Sequence, residues 1–279
     1  MAVPHDLRLR SLADMPRSDR LHLWMSRLKR PAPMRPLRLL YHGVNWTQVD
    51  RLERAADLAG FNPEVLVASA GLGLRWVDSM APAYAATFSD RHPDSVPGDV
   101  QEKRWWWQQL NETPESAPPL SALTGPILFV LSEQYSRVLA PEISRLSDRH
   151  DVLVVGGSRD VPEHMRLPAD RGLRQTLGGT ATSLNSRTAV AWLERLDGPS
   201  LVSADVRASW VSWAESARRT EVYNRQSLSD QGVMDFIRHL REGEPLMSKT
   251  RALRQLRDSG LACEQHRFGD LFGRQVGTR

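Results

Sequence analysis

Apolar positions along the chain fall into two patterns. Short apolar runs at residues 37–41 (broken by Arg38), 65–68, 127–131 and 152–155 read as buried strands, with residues 201–204 as a last one. Between them apolar residues recur at helical spacing. Val49, Leu52, Ala55, Ala56 and Ala59 form one such face; Asn45 or Thr47 can cap it, Thr47 with Asp50 has capping-box spacing, and Gly60 suits its end. Further helices are expected over residues 132–149 and, after Gly178-Gly179, up to residue 196, with Leu184, Val190, Trp192 and Leu193 on the apolar side. Alternating strands and helices predict an α/β domain, a mostly parallel sheet flanked by helices.

The remaining stretches are organised differently. Residues 18–30 can form a basic amphipathic helix, stopped by Pro31, Pro33 and Pro36. Residues 74–100 lack a clear period and read as a long ordered loop, the kind that is usually functional or disordered. Trp105, Trp106 and Trp107 follow on a helix over 100–110. Beyond about residue 206 the strand pattern stops. Ser229 can cap a helix bearing Val233, Phe236, Ile237 and Leu240; Ser248 or Thr250 can cap a second, ended by Gly260; residues 263–272 make a third. These predict a small C-terminal all-α domain of helix-turn-helix type. The expected division is a basic helical arm over 1–36, an α/β core over 37–205 and a basic helical domain over 206–279.

Composition narrows the function classes. With 41% apolar and 25% charged residues the chain is an ordinary globular protein that can build a core. One cysteine, Cys263, excludes an internal disulfide framework and a multi-thiolate metal site, and suits a reducing cytoplasm. No run approaches a membrane span, and the N-terminus has no uninterrupted apolar segment of a secretory signal. The net charge of +4 is uneven: +6 over residues 1–40, +3 over 241–279 and −5 between them. Two basic ends around an acidic centre point to a polyanion such as DNA or RNA, the alternative being ordinary solvated faces.

Motifs for chemistry are sparse. There is no GxSxG, HExxH or Walker A loop, the histidines lack ligand spacing, and Gly71-Leu72-Gly73 is only the start of a dinucleotide fingerprint, so neither metal nor cofactor is expected. Polar residues do gather at the expected strand ends, where α/β proteins bind ligands: Tyr41 and Gly43; Ser69, Gly71 and Gly73; Ser132 and Tyr135. Glycines there let backbone N–H groups approach a phosphate or base edge, or simply allow a turn. Asp78 and Glu133 are candidate general bases, with Tyr84 as a third catalytic candidate, or they cap and pack. The Trp triplet can stack on a base or fill the core, with Lys103 and Arg104 suited to phosphates. Arg251, Arg254 and Arg257 share one helix face, and Gln265 and Arg267 start the next helix, as in a helix-turn-helix reader. Cys263 reads as a small buried hydrophobe rather than a nucleophile.

The order of these segments resembles the YaaA-type peroxide-stress proteins: Tyr-x-Gly, then Ser-Ala-Gly-Leu-Gly-Leu followed by Asp78 and Tyr84, then Leu131-Ser132-Glu133-Gln134-Tyr135, then Ser186-Arg187-Thr188-Ala189 on a helix. The likeness covers roughly residues 37–195. Leu72 stands where that family usually has Tyr, and its N-terminal Ser-Pro-x-Lys segment has no match. The resemblance implies a compact α/β core, association with DNA and kinship with base-handling proteins. Together these features predict a cytoplasmic nucleic-acid-associated protein of DNA or RNA modification, damage or stress response, or defence, holding a nucleobase or nucleotide. If it is an enzyme, metal-independent attack on a glycosidic bond fits best; the alternative is a non-enzymatic regulator or a subunit with a protein partner in such a complex.

Overall fold

In a computed structural model the described residues are 3–43, 46–148, 151–198, 200–219 and 226–277. They divide into two compact units, Met1–Arg219 and Thr220–Arg279. The basic N-terminal segment therefore belongs with the α/β core rather than apart from it, and the boundary falls after residue 219 rather than 205.

Unit 1 begins with two short helical turns and α1 (Arg17–Leu28), whose Leu21 and Trp24 are buried. A three-residue strand, β1 (Met34–Pro36), leads into the single-turn helix α2 (Leu37–Leu40). Residues 37–41 are thus not a strand. A short apolar run does not distinguish strand from buried helix, and Leu and Arg are good helix formers behind a proline. Helix α3 (Val49–Leu58) follows; Asn45, one of its two expected caps, lies outside the described residues, and Thr47 sits in the turn before it. Strands β2 (Leu66–Ser69) and β3 (Gly73–Trp76) form an antiparallel hairpin, and β4 (Met80–Pro82) pairs antiparallel with β1. Part of the expected 74–100 loop is therefore strand. Asp99 caps α4 (Val100–Asn111) with a complete capping box to Glu102.

The parallel sheet is smaller than expected. It consists of β5 (Ile127–Leu131), β6 (Val152–Gly156) and β7 (Arg166–Leu167), with α5 (Glu133–Ser144) between the first two. Its alternation organises the unit. Phe129, Val152 and Val154 enter one core with Val138, Leu139 and Ile143 of α5 and with Trp24, Trp106 and Trp107. Leu128, Val130, Leu153 and Val155 point into a second core. That second core is built with Ala189, Val190 and Trp192 of α7 (Leu184–Leu193), a helix that follows the one-turn α6 (Arg174–Leu177) and the Gly178-Gly179 break. Both faces are covered, which is why β5 and β6 read as unbroken apolar runs. At the strand end Gly156 has φ +80°, and a Cβ there would lie 2.7 Å from the Leu131 carbonyl oxygen and 2.3 Å from the Asn185 amide. Glycine is required on both counts. The last expected strand, 201–204, is instead the entry to α8 (Ala204–Ala217): the Ser203 hydroxyl accepts from the Val206 N–H at 3.1 Å, and Val206, Trp210 and Ala214 pack in the second core.

Unit 2 contains β8 (Gln226–Ser227), α9 (Asp230–Gly243), α10 (Lys249–Asp258), β9 (Leu261–Ala262) and α11 (Gln265–Gly277), with β8 and β9 joined as a two-residue parallel pair. Ser229 and Ser248 cap α9 and α10 through their hydroxyls. Val233 and Ile237, Ala252, Leu253 and Leu256, and Phe268 and Leu271 close a separate core. Among the described residues no helix is long and apolar enough to cross a membrane.

Candidate functional site

The sheet pairing of unit 1 brings four of the expected site residues together. Ser69 ends β2, and its Oγ accepts from the backbone N–H groups of Gly71 and Leu72, both at 3.1 Å. Those N–H groups are therefore used within the turn and do not await a phosphate. The turn is clamped from outside by two indoles: Trp24 Nε1 donates to the Gly71 carbonyl and Trp106 Nε1 to the Ala70 carbonyl, each at 2.8 Å. Tyr84 lies against this turn so closely that a Cβ on Gly71 would sit 2.5 Å from its ring. Its hydroxyl reaches Ser69 Oγ at 2.5 Å and also hydrogen-bonds the Tyr41 hydroxyl. The Tyr41 and Tyr84 rings meet edge to face at 6.3 Å, and Tyr41 packs on Trp46 at 4.8 Å.

Burial pushes both phenols above their usual range, Tyr84 more strongly because Tyr41 adds to the effect. Tyr135 is also raised by burial and packs edge to face on Phe88 at 5.0 Å. At neutral pH this is a chain of protonated hydroxyls. It can donate to and orient a ligand group, but among the described residues no carboxylate or imidazole is hydrogen-bonded to it as a base. The adjoining cavity, lined by Tyr41, Tyr84, Arg35 and His42 among others, is about 170 Å3, below the roughly 300 Å3 lower end of small-molecule sites.

The other candidates in this unit lie apart from that cluster. Asp78 is exposed and takes a hydrogen bond from Arg38 Nε at 3.2 Å, while the rest of that guanidinium is held by Glu53 in two bonds of 2.8 Å. This fork raises the Arg38 pKa, the Glu53 hydrogen bond contributing most. Glu133, also exposed, bonds Arg137 one turn along α5 at 2.6 Å. Ser132 is the exposed residue before α5 and makes no side-chain cap bond. Gly43 is exposed, and its carbonyl accepts from Trp46 N and Thr47 N. Gly73 begins β3, next to Leu74, whose N–H donates to Asn111 Oδ1 at 2.6 Å.

The Trp triplet and its basic neighbours are structural. Trp106 and Trp107 are buried, Trp107 donating to Glu142 at 2.9 Å, and Trp105 is covered by the Arg17 guanidinium 3.9 Å from its ring. Lys103 is buried as well: its Nζ donates to the Phe88 carbonyl at 3.1 Å and pairs with Asp90. Arg104 donates twice to the Arg137 carbonyl. Neither side chain stands ready for phosphates. Three consecutive helical positions cannot all face solvent, and this helix packs on β3 and α5.

In unit 2 the expected basic residues divide into held and unheld. Arg251 pairs with Glu244 at 2.5 Å, and Arg267 is held by Asp230 and the Leu228 carbonyl. Arg254 is exposed, Arg257 partly so with its charge felt by the Cys263 thiol, and neither side chain has a hydrogen-bond or ion-pair partner among the described residues. At the start of α11, Gln265 and His266 are exposed, but the Glu264 carboxylate accepts from the N–H groups of His266 and Arg267 at 2.9 and 2.7 Å, which holds its pKa below the usual carboxylate range. Cys263 is buried, and burial pushes its thiol pKa up. Sequence reasoning missed the two carboxylate–guanidinium clusters, Arg38 with Glu53 and Arg10 with Asp94, because their members are far apart in the chain. Among the described residues no group of His, Cys, Asp and Glu is arranged to hold a metal ion. No known protein family, curated protein or solved structure matches the chain.

Proposed function

We propose that the protein associates with DNA or RNA as a binding module, through the basic face of α10. One observation carries this: Lys249–Asp258 holds four cations and one anion, and Arg254 and Arg257 have no competing partner among the described residues. The buried side of the same helix, Ala252, Leu253 and Leu256, fixes its rotation, so the arginine stripe is presented as a unit. Such a stripe follows a phosphate backbone. In this proposal α10, the Gly260 turn and α11 act as a helix-turn-helix, with Gln265 and His266 offered to base edges and Glu264 closing the helix start against phosphate. The resemblance of residues 37–195 to YaaA-type proteins implies the same association with DNA, and the proposal places the protein in the cytoplasm, beside nucleic acid or in a modification or defence complex.

Base processing is the second reading, and the tyrosine cluster is what favours it. Asp78 and Glu133 instead engage Arg38 and Arg137, which supports binding over glycosidic chemistry. The test is retention of the full chain on duplex DNA, single-stranded DNA and RNA at low salt with release at high salt. No retention on any of the three overturns the proposal. Release of a free base that Asp78→Asn or Glu133→Gln abolishes would restore the enzyme.

A further inference from the structure

Unit 1 has a second and larger cavity, about 620 Å3, within the roughly 300–1,000 Å3 of small-molecule sites. Leu28, Leu37, Leu72 and Leu110 supply apolar wall, brought together by α1, α2, the β2–β3 turn and α4. Met34 and Met80 on the β1–β4 pair also line it, and at 44% and 55% exposure they are large apolar side chains left in water beside it.

One wall is charged. Arg75, on β3, is only 8% exposed. Its Nη2 donates to the Thr113 hydroxyl at 3.0 Å, while Nη1 is buried with no hydrogen-bond partner among the described residues. Burial lowers the Arg75 pKa, and at neutral pH the Glu115 carboxylate is the charge that opposes this. A buried guanidinium with an unused donor is costly unless something pairs with it.

We infer that this cavity binds a small amphipathic carboxylate, its apolar body on the leucine and methionine wall and its carboxylate on Arg75. A planar carboxylate matches the guanidinium edge. One buried cation balances one negative charge, whereas a phosphate dianion would leave an excess charge among apolar side chains. Lys29, an exposed residue of the same lining, attracts an anion to the opening, while its neighbour Arg30 is paired with Asp6 at 3.4 Å. Glu115, also in the lining, is the chain's own competitor for Arg75. The site is independent of nucleic-acid binding by α10.

The test is calorimetric titration of the full chain with decanoate and with 2-naphthoate, using decanol and inorganic phosphate as comparisons. At least one carboxylate binds, decanol binds at least tenfold more weakly than decanoate, and phosphate displaces neither. Arg75→Met weakens carboxylate binding at least tenfold. Met80→Glu, at an exposed position that leaves the core intact, weakens it too and serves if the buried substitution fails to fold; Glu115→Gln strengthens it. Failure of both carboxylates to bind, decanol binding as well as decanoate, displacement by phosphate, or affinity unchanged in the variants would each overturn the inference.

Discussion

The hydroxyls of Tyr41 and Tyr84, 43 residues apart in sequence, are hydrogen-bonded to each other, and Tyr84 continues the chain to Ser69. Removing one member leaves a buried partner short of a bond, which costs about 1–3 kcal/mol. Tyr84→Phe and Tyr41→Phe each lower stability by that order, and the double substitution costs less than the two single losses together, because they share one interaction. Urea unfolding of the four proteins checks this; strictly additive losses would show that the hydroxyls are not coupled.

Gly71 is required by contact rather than by backbone conformation. An added methyl meets Tyr84 at 2.5 and 2.7 Å and Ala86 at 3.2 Å, and the Tyr84 ring cannot swing away without breaking its bonds to Tyr41 and Ser69. Gly71→Ala therefore destabilises by about 1–3 kcal/mol, and it removes the mutual coupling of the two tyrosines. Gly198→Ala, where a Cβ meets nothing within 4 Å, is the control and leaves the denaturation midpoint nearly unchanged.

Asp94 sets an acid limit on unit 1. Its side chain is 1% exposed and receives Arg10 Nε at 2.9 Å and Arg10 N at 3.1 Å. The Arg10 side chain is the main reason its pKa lies below the usual value. A carboxyl depressed on folding contributes stability that is complete above the unfolded pKa, near ~3.9, and lost as pH falls through the lower folded value. Wild-type stability accordingly drops below about pH 4, and Asp94→Asn is less stable at neutral pH with a shallower acid decline. Urea midpoints between acid and neutral pH measure both; parallel profiles for the two proteins would remove Asp94 from the account.

Periodicity made the central parallel strands legible, because β5 and β6 are apolar on both faces and nothing polar interrupts them. It failed at residues 37–41, where five residues satisfy strand and helix alike, and at β4, where two-stranded antiparallel pairing leaves no clear pattern in a stretch rich in turn residues. Ser69 and Gly71 were legible as strand-end polar residues, Tyr41 was singled out at the end of a run that is helix rather than strand, and Tyr84 was legible only as a polar candidate beyond β2. Asp78 and Glu133 belong to the same motifs, yet their partners, Arg38 and Arg137, pull them into surface ion pairs. Arg75 gave no signal at all, since nothing in its neighbours in sequence shows that it is buried with an unpaired nitrogen.

Lys103 separates charge that binds from charge that builds. Burial and its bonds to Phe88 and Asp90 assign it to the fold, so Lys103→Met lowers stability by about 1.5–3 kcal/mol while leaving nucleic-acid affinity of the folded protein unchanged. Thermal unfolding and a binding isotherm on the same sample decide the matter; weaker binding with unaltered stability would reverse the assignment.

The basic face of α10 is tested most directly by the salt dependence of binding to duplex DNA, measured for the wild type and for Arg254→Gln with Arg257→Gln. Each phosphate contact contributes roughly 0.9 to the slope of log affinity against log salt concentration. The double variant should bind more weakly and lose about 2 from the magnitude of that slope, whereas Arg267→Gln, at a side chain already held by Asp230, should lose less. An unchanged slope in the double variant would contradict binding through α10.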